Sequence, residues 1–197
     1  KIIQHNAFGL QAMSIRYLVP EDAATIWRGP MVMSAIEHLL RYVAWQNVDI
    51  LIIDMPPGTG DAQLTLSQRV QLAGAIIVST PQDLSLIDAR KGLNMFKKVN
   101  VPILGIIENM SYFLCGKCET QHNIFGNGGA KAEADKLGVP FLDEIPLDIS
   151  LRTSSDEGKP IVFQEPDNLI SKKYLEIANL IAESLEKQKK PMPTIIQ

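Results

Sequence analysis

The chain has 197 residues, of which 46% are hydrophobic and 21% charged, and this apolar content is enough for one compact core. Its 19 basic and 22 acidic residues leave a formal charge of −3, so the composition gives no support to a nucleic-acid partner. No apolar run reaches the roughly 18 residues of a membrane-spanning helix, so we expect no membrane partner. Without a signal-peptide pattern or a disulfide framework, the sequence favours a reducing compartment, the cytoplasm or alternatively the mitochondrial matrix.

Short β-branched runs alternate with segments of helical period, which predicts parallel βαβ units and an α/β fold. Several strand candidates are almost wholly apolar, so helices should cover both faces of a mostly parallel sheet. The predicted strands are residues 11–18, 48–54, 74–80, 102–108 and 139–145.

Four amphipathic segments separate or follow these strands and predict helices. Asp83 begins one of them, where its carboxylate can cap free backbone N–H groups. Gly138 follows another and is typical of a left-handed C-cap. The predicted helices are residues 31–43, 83–98, 129–137 and 167–187. We expect residues 1–187 to form a single domain and residues 188–197 a flexible tail.

An apolar strand candidate delivers Asp54 at its carboxyl end, and Met-Pro-Pro-Gly-Thr-Gly follows. In α/β proteins that transfer phosphate, a carboxylate placed in this way lies near Mg²⁺. Two prolines and then two glycines suit a loop that brings the N–H of Gly58 against a γ-phosphate. The same residues are explained equally well by an ordinary strand that is followed by a Pro-Gly turn. In that case Asp54 caps the next helix.

Cys115 and Cys118 are the two cysteines of the chain, and they lie in the long non-helical stretch 109–127. Two thiolates supply half of a soft metal site, because tetrahedral zinc and iron–sulfur clusters take about four ligands. Another chain or another residue type must complete such a site. Reduced core thiols are the alternative, which the polar Gly-Lys between the cysteines disfavours. His122 follows nearby and is interpreted as a solvated loop residue.

The segment 54–61 resembles the second nucleotide motif and switch of the deviant-Walker P-loop ATPases, in the form seen in the Mrp family of iron–sulfur cluster carrier ATPases. Similar motifs follow in the same order and spacing from about Gly9 to Leu185, nearly the whole chain. They are residues 27–30, 61–65, 79–82, 109–112, 115–118, 124–126, 145–148 and 155–160. The resemblance implies a P-loop NTPase-like fold.

For the nucleotide, the resemblance implies a role for residues at three places. Asp54 and Gly58 match the catalytic positions that act on ATP with Mg²⁺. Asn109 matches the side-chain amide that recognises adenine, since an amide offers both a donor and an acceptor to the base edge. Pro146 and Asp148 match the segment beside the base.

For the metal, the resemblance implies that Cys115 and Cys118 hold a [4Fe-4S] cluster between two subunits of a homodimer. The cluster would pass to apo iron–sulfur proteins, and zinc is possible as a substitute. Two alternatives remain open. One is a zinc-linked, non-catalytic dimeric scaffold, and the other is a spatial-positioning ATPase of the same superfamily.

The family's phosphate loop is missing, because no GxxxxGK(S/T) pattern occurs in the chain. The glycine-rich stretch 126–129 lacks the correctly spaced Lys and Ser/Thr, so it is rejected as a replacement. Either the N-terminal βα units are absent from this chain or the protein is a degenerate homologue, and the retention of Asp54, Gly58 and Asn109 favours the first. ATP hydrolysis is therefore expected for the intact protein and not for this chain alone.

Overall fold

The structure is a computed structural model that describes residues 1–18, 29–55 and 61–188. Its contacts divide the chain into two compact units, Lys1–Arg69 and Val70–Gln197, and each is described by itself. Gly58 and residues 189–197 of the predicted tail lie outside the described residues. The single domain over 1–187 stays a prediction.

The first unit opens with an antiparallel hairpin. Phe8 and Gly9 both have positive φ, 52° and 73°, which is the geometry of the tight turns that match the twist of two antiparallel strands. The predicted strand 11–18 is therefore wrong beyond residue 12, where the hairpin ends and a short 3-10 helix follows. The elements are β1 (His5–Ala7), β2 (Leu10–Ala12), the 3-10 helix (Ile15–Leu18), α1 (Gly29–Arg41) and α2 (Asp61–Arg69).

The predicted strand 48–54 is also wrong, because none of these residues has strand structure. Ile50 is 60% exposed and Ile52 is 87% exposed, although both are strongly apolar. A strand forms when neighbouring strands accept and donate its backbone hydrogen bonds. Within the described part of this unit, the strands β1 and β2 pair with each other and not with residues 48–54.

The second unit alternates strands and helices and confirms most of the predicted elements. The helix α4 ends at Gly138 in the left-handed conformation, with φ 64°, as predicted. Asp83 begins α3 but does not cap it, since the N-cap is Gln82 and no side chain makes a cap hydrogen bond. The elements are β3 (Ala75–Ser79), α3 (Asp83–Lys98), β4 (Ile103–Leu114), β5 (Gln121–His122), α4 (Gly129–Leu137), β6 (Phe141–Leu147), α5 (Ile149–Asp156), α6 (Ile161–Gln164) and α7 (Leu169–Lys187).

The strand β4 organises the sheet of this unit. It pairs in parallel with β3 and with β6, and it pairs antiparallel with the short β5. One edge of β4 pairs with β6 as far as Phe113, and the other edge pairs with β3 only as far as Glu108. The strand β5 therefore pairs with β4 beyond Glu108, on the same edge as β3. The stretch 109–127 is non-helical as predicted, and β4 continues through its first part to Leu114 and turns back as a hairpin.

Helices cover both faces of the sheet, which confirms the predicted α/β fold class. Ile107 packs against a buried cluster that α6 and α7 share with β6, whereas the next residue, Glu108, hydrogen-bonds the start of α4. Successive residues of a strand point to opposite faces, so α4 and α7 lie on opposite sides. Within the described part of the chain, no helix is long and apolar enough to cross a membrane.

Candidate functional site

Three predicted nucleotide residues reach one edge of the sheet. The parallel strands β4 and β6 place Asn109 opposite Ile145, and Pro146 and Asp148 follow directly along the chain. Ligands of parallel α/β sheets bind at the carboxyl ends of the strands. The register therefore brings Asn109, Pro146 and Asp148 to the edge where the resemblance predicts adenine.

Asn109 lies at an irregularity of β4. The pairing with β6 shifts between Asn109 and Phe113, and Met110 takes a positive φ of 56°, as at a β-bulge. The Oδ1 atom of Asn109 accepts a hydrogen bond from the backbone N–H of Met110 at 3.0 Å. The bulge re-aims this half-buried side chain, and its Nδ2 group has no hydrogen-bond partner among the described residues.

Asp148 has a structural role that its sequence motif did not reveal. It is the N-cap of α5, and its Oδ1 accepts hydrogen bonds from the N–H of Ser150 at 2.7 Å and of Leu151 at 3.0 Å. A carboxylate at this position satisfies backbone donors that have no partner within the helix. Pro146 is buried within β6. Their roles beside a base stay predictions.

The two cysteines lie at the tip of the hairpin between β4 and β5. Leu114 pairs with Gln121 at the end of the ladder, and the N–H of Cys115 donates to the carbonyl of Thr120 at 3.0 Å. The N–H of Glu119 donates back to the Cys115 carbonyl at 2.9 Å, which closes the turn. Cys115 is half-buried and Cys118 is exposed, so the turn presents its second sulfur to solvent.

The environment of Cys118 favours its thiolate. Its Sγ lies 3.2 Å from Oγ1 of Thr120, and this hydrogen bond lowers the pKa of Cys118, with further contributions from the Thr120 backbone and from Cys115. The thiolate is the form that binds metal. Thr120 was not predicted from the sequence, because a threonine after a cysteine pair carries no distinctive pattern.

One chain presents two cysteines, the candidate metal ligands, at this tip. The described residues contain no group of three or more His, Cys, Asp or Glu that could hold a metal ion. His122 belongs to β5, and its ring packs beside Phe113 with the centroids 6.4 Å apart. The donor set therefore fits half of a site for about four thiolates.

The glycine-rich turn before α4 binds a side-chain carboxylate of the same chain, that of Glu108. Glu108, which is fully buried, accepts hydrogen bonds from the N–H groups of Gly128 and Ala130. Gly129 packs so closely that a Cβ there would lie 2.7 Å from the carbonyl oxygen of Pro81. Sequence analysis missed Glu108 as a site residue, although a charged residue within an apolar strand was an available signal.

The predicted catalytic pair is described only in part. Asp54 is exposed and lies outside any strand, and Gly58 falls outside the described residues. The roles of this pair in ATP hydrolysis stay predictions.

Comparison with known proteins agrees with the motifs. A family model described as ParA, NUBPL iron-transfer P-loop NTPase, matches residues 1–182. The chain belongs to this family. That result confirms the resemblance to the iron–sulfur carrier ATPases.

Two curated relatives are longer than this chain. The chain is 54% identical over 179 residues to the iron–sulfur cluster transfer protein NUBPL of Dictyostelium discoideum, with 91% of this chain and 55% of the relative covered. It is 49% identical over 190 residues to the iron–sulfur cluster carrier protein of Haemophilus influenzae, with 96% and 51% covered. The chain thus spans about half the length of these curated relatives.

A solved structure agrees with the P-loop NTPase fold of this family. A nucleotide-binding protein from Archaeoglobus fulgidus, solved in complex with ADP, superimposes with a TM-score of 0.65 at 35% identity. The match covers 85% of this chain and 68% of that protein. The P-loop NTPase-like fold class is confirmed.

Proposed function

We propose that this chain is the cluster-binding part of an iron–sulfur carrier and that Cys115 and Cys118 hold the cargo. The observation that carries the proposal is the hairpin tip, where a half-buried and an exposed thiol share one tight turn. The depressed pKa of Cys118, caused chiefly by the Thr120 hydroxyl, supplies the thiolate that a cluster needs. The relatives named as cluster transfer and carrier proteins support this role.

The cargo is proposed to be a [4Fe-4S] cluster that bridges a homodimer. A cubane of this kind takes about four cysteine thiolates, and one chain contains two cysteines. A second copy supplies the other two at its own hairpin tip. The exposure of Cys118 leaves its sulfur accessible to a partner chain.

We propose that the cluster is released to an apo iron–sulfur protein, and the same geometry supports this step. The turn lies at the end of a hairpin and not in a closed core, so thiolates of a recipient can approach the cluster and replace Cys118 as ligand. The recipient must offer cysteine thiolates of its own, because each bond lost to the carrier needs a replacement. Apo iron–sulfur proteins are therefore the proposed partners.

ATP dependence with Mg²⁺ is proposed for the intact protein. The likeness to a protein solved with ADP supports a nucleotide site, and Asn109 has an amide group available to a base. Asp54 and Gly58 keep their proposed catalytic roles, with Pro146 and Asp148 beside the base. Hydrolysis of ATP by the complete protein is the direct measurement, and a complete protein with an intact phosphate loop and no hydrolysis would contradict this part.

The cluster role is tested by anaerobic reconstitution with iron and sulfide. We expect a broad visible absorption band and about four irons and four sulfides per dimer. Cys118→Ala should abolish the band, because it removes one thiolate from each chain. Lys117→Ala is the matched control in the same turn and should retain the cluster, since it removes no ligand.

Zinc is the competing outcome of that experiment. Two cysteine pairs also form a tetrahedral Cys₄ site, which would make the protein a zinc-linked scaffold. Stoichiometric zinc that iron cannot replace under reducing conditions would overturn the carrier proposal, as would full cluster content in Cys118→Ala.

The proposed location is a reducing compartment, the cytoplasm or the mitochondrial matrix. Labile clusters and free thiols such as Cys115 and Cys118 persist where glutathione and thioredoxin keep thiols reduced. Tagging the complete protein in its source cell and recording its location by fluorescence distinguishes the two compartments.

A further inference from the structure

The carboxylate of Glu108 is fully buried in the second unit and accepts three hydrogen bonds. Its Oε1 accepts hydrogen bonds from the hydroxyl of Ser111 at 2.6 Å and from the N–H of Gly128 at 3.1 Å. Its Oε2 accepts from the N–H of Ala130 at 2.7 Å. A buried carboxylate with this many short hydrogen bonds is strongly held in one position.

Two of these donors, Ser111 and Gly128, lie at the two ends of one segment. Residues 111–128, which we call the cysteine arm, begin in the last part of β4, after the bulge at Asn109, and end at Gly128, the N-cap of α4. Ser111 is the first residue of the cysteine arm and Gly128 is the last. One carboxylate therefore binds both ends of the segment that carries Cys115 and Cys118.

Beyond Ser111, Phe113 still pairs with Leu147 of β6, but residues 115–120 of the cysteine arm lie outside any strand. The strand β5 pairs with β4 at two positions, Phe113 with His122 and Leu114 with Gln121, and a ladder of this length is marginal by itself. Most side chains of residues 114–124 are exposed. The position of the hairpin tip thus depends strongly on how its base is closed.

We infer that Glu108 is a positioning residue for cluster binding: its carboxylate closes the base of the cysteine arm and so fixes the direction in which the two thiolates point. This inference rests on the proposed function, because it concerns the placement of the cluster ligands. Glu108 touches neither cysteine and acts through Ser111 and Gly128.

A carboxylate suits this position better than any other acceptor. All of the bound groups are donors, and two of them are backbone N–H groups at the N-terminus of α4, where the helix dipole favours negative charge. The Ser111 hydroxyl also lies 2.9 Å from Oε2 of Glu144 on β6, but its single proton is donated at the shorter distance to Glu108. The Glu108 carboxylate therefore ties β4 to the start of α4.

Glu108→Gln tests the inference with little change of shape. The amide nitrogen cannot accept, so at least one backbone N–H of Gly128 or Ala130 loses its acceptor. We expect amide hydrogen exchange across residues 111–128 of the cluster-free protein to become about tenfold faster, the loss of one hydrogen bond to a charged group. This measurement does not depend on whether a cluster binds.

Glu133→Gln is the matched control, on α4, the helix whose N-terminus Glu108 binds. Glu133 is also buried, and its carboxylate accepts two hydrogen bonds from Arg90, at 2.6 and 2.8 Å, but it binds neither end of the cysteine arm. We expect this variant to leave exchange in residues 111–128 at the wild-type rate. Equal exchange in the two variants would overturn the inference.

The functional readout is the lifetime of the reconstituted cluster under a fixed chelator concentration. We expect the cluster of Glu108→Gln to decay several-fold faster than that of Glu133→Gln, following the looser arm. Faster arm exchange with an unchanged cluster lifetime would overturn the positioning role. If the wild type and all variants bind no cluster, the proposed function fails, while the exchange data still decide whether Glu108 closes the arm.

Ser111→Ala keeps the inference testable if Glu108→Gln does not fold. This variant removes the donor at the first residue of the arm and leaves the bonds from Gly128 and Ala130 in place. We expect a smaller rise in exchange, confined to the β4 side of the hairpin, and a smaller loss of cluster lifetime. Wild-type behaviour in both measurements would overturn the inference.

Discussion

Residues 48–54 in the first unit and the strands β3 and β4 in the second unit are similarly apolar, yet only the second set is paired. Ile52 is 87% exposed, whereas Ile106 in β4 is 2% exposed. The strands of the second unit exchange backbone hydrogen bonds with parallel neighbours, and residues 48–54 have no such neighbour in the described part of their own unit. Apolar sequence makes a segment a strand candidate, but its hydrogen-bonding neighbours decide whether the strand forms.

The largest expected difference between the two regions is in stability. Ile145→Ala removes a side chain that is 1% exposed in the cluster shared with α6 and α7, so the free energy of unfolding should fall by about 2–5 kcal/mol. Ile52→Ala should change it by less than about 0.5 kcal/mol. Urea unfolding of this chain, followed by circular dichroism, measures both. A comparable loss in Ile52→Ala would show that residues 48–54 are packed.

A smaller effect on the free energy of unfolding is expected at the N-terminus of α5. Asp148→Ala removes the cap of α5 and should lower the free energy of unfolding by about 1 kcal/mol. Asp148→Asn is the control, since asparagine caps equally well, and it should unfold near the wild-type urea concentration. If both variants are equally destabilised, the negative charge and not the cap matters.

The smallest expected effect is on the reactivity of Cys118. Thr120→Val removes the hydroxyl that favours the thiolate, so the pKa of Cys118 should rise and less thiolate should be present near neutral pH. We expect alkylation of Cys118 by iodoacetamide to slow several-fold near pH 7. Peptide mass spectrometry measures the rate.

The control for that measurement is Thr153→Val in α5, a threonine outside the cysteine arm. Alkylation of Cys118 should proceed in this variant at the wild-type rate. An unchanged pH profile in Thr120→Val would mean that the Thr120 hydroxyl does not control the thiol. The same assay on cluster-free Glu108→Gln reports whether the geometry of the turn changes when its base opens.

The elements that sequence analysis predicted well are those with a strong local pattern. Short β-branched apolar runs placed β3 and β6, the helical period placed α3 and α4, and Gly138 marked the end of α4 as observed. The second half of β4 was missed, because Asn109 and Met110 break the apolar run at a bulge. The candidate metal ligands were found because cysteine pairs are rare and chemically specific.

The residues that hydrogen-bond within the cysteine arm or close its base were not predictable in the same way. Glu108 and Gly128 form a hydrogen bond across the whole cysteine arm, and no short motif encodes a contact between residues so far apart. Thr120 is close to Cys118 in sequence, but only the fold of the turn brings its hydroxyl within 3.2 Å of the sulfur. Such contacts depend on backbone direction, which the residue types alone leave open.

The sequence by itself determined the family, the alternation of strands and helices, and the pair of thiols at Cys115 and Cys118. Each of these follows from residue type and spacing along the chain, which are local properties. Only the tertiary structure decided that β4 extends to the cysteine turn, that residues 48–54 pair with no strand among the described residues, and that Glu108 binds both ends of the cysteine arm. Those outcomes depend on hydrogen bonds between distant residues, and such bonds form only when the fold brings donor and acceptor together.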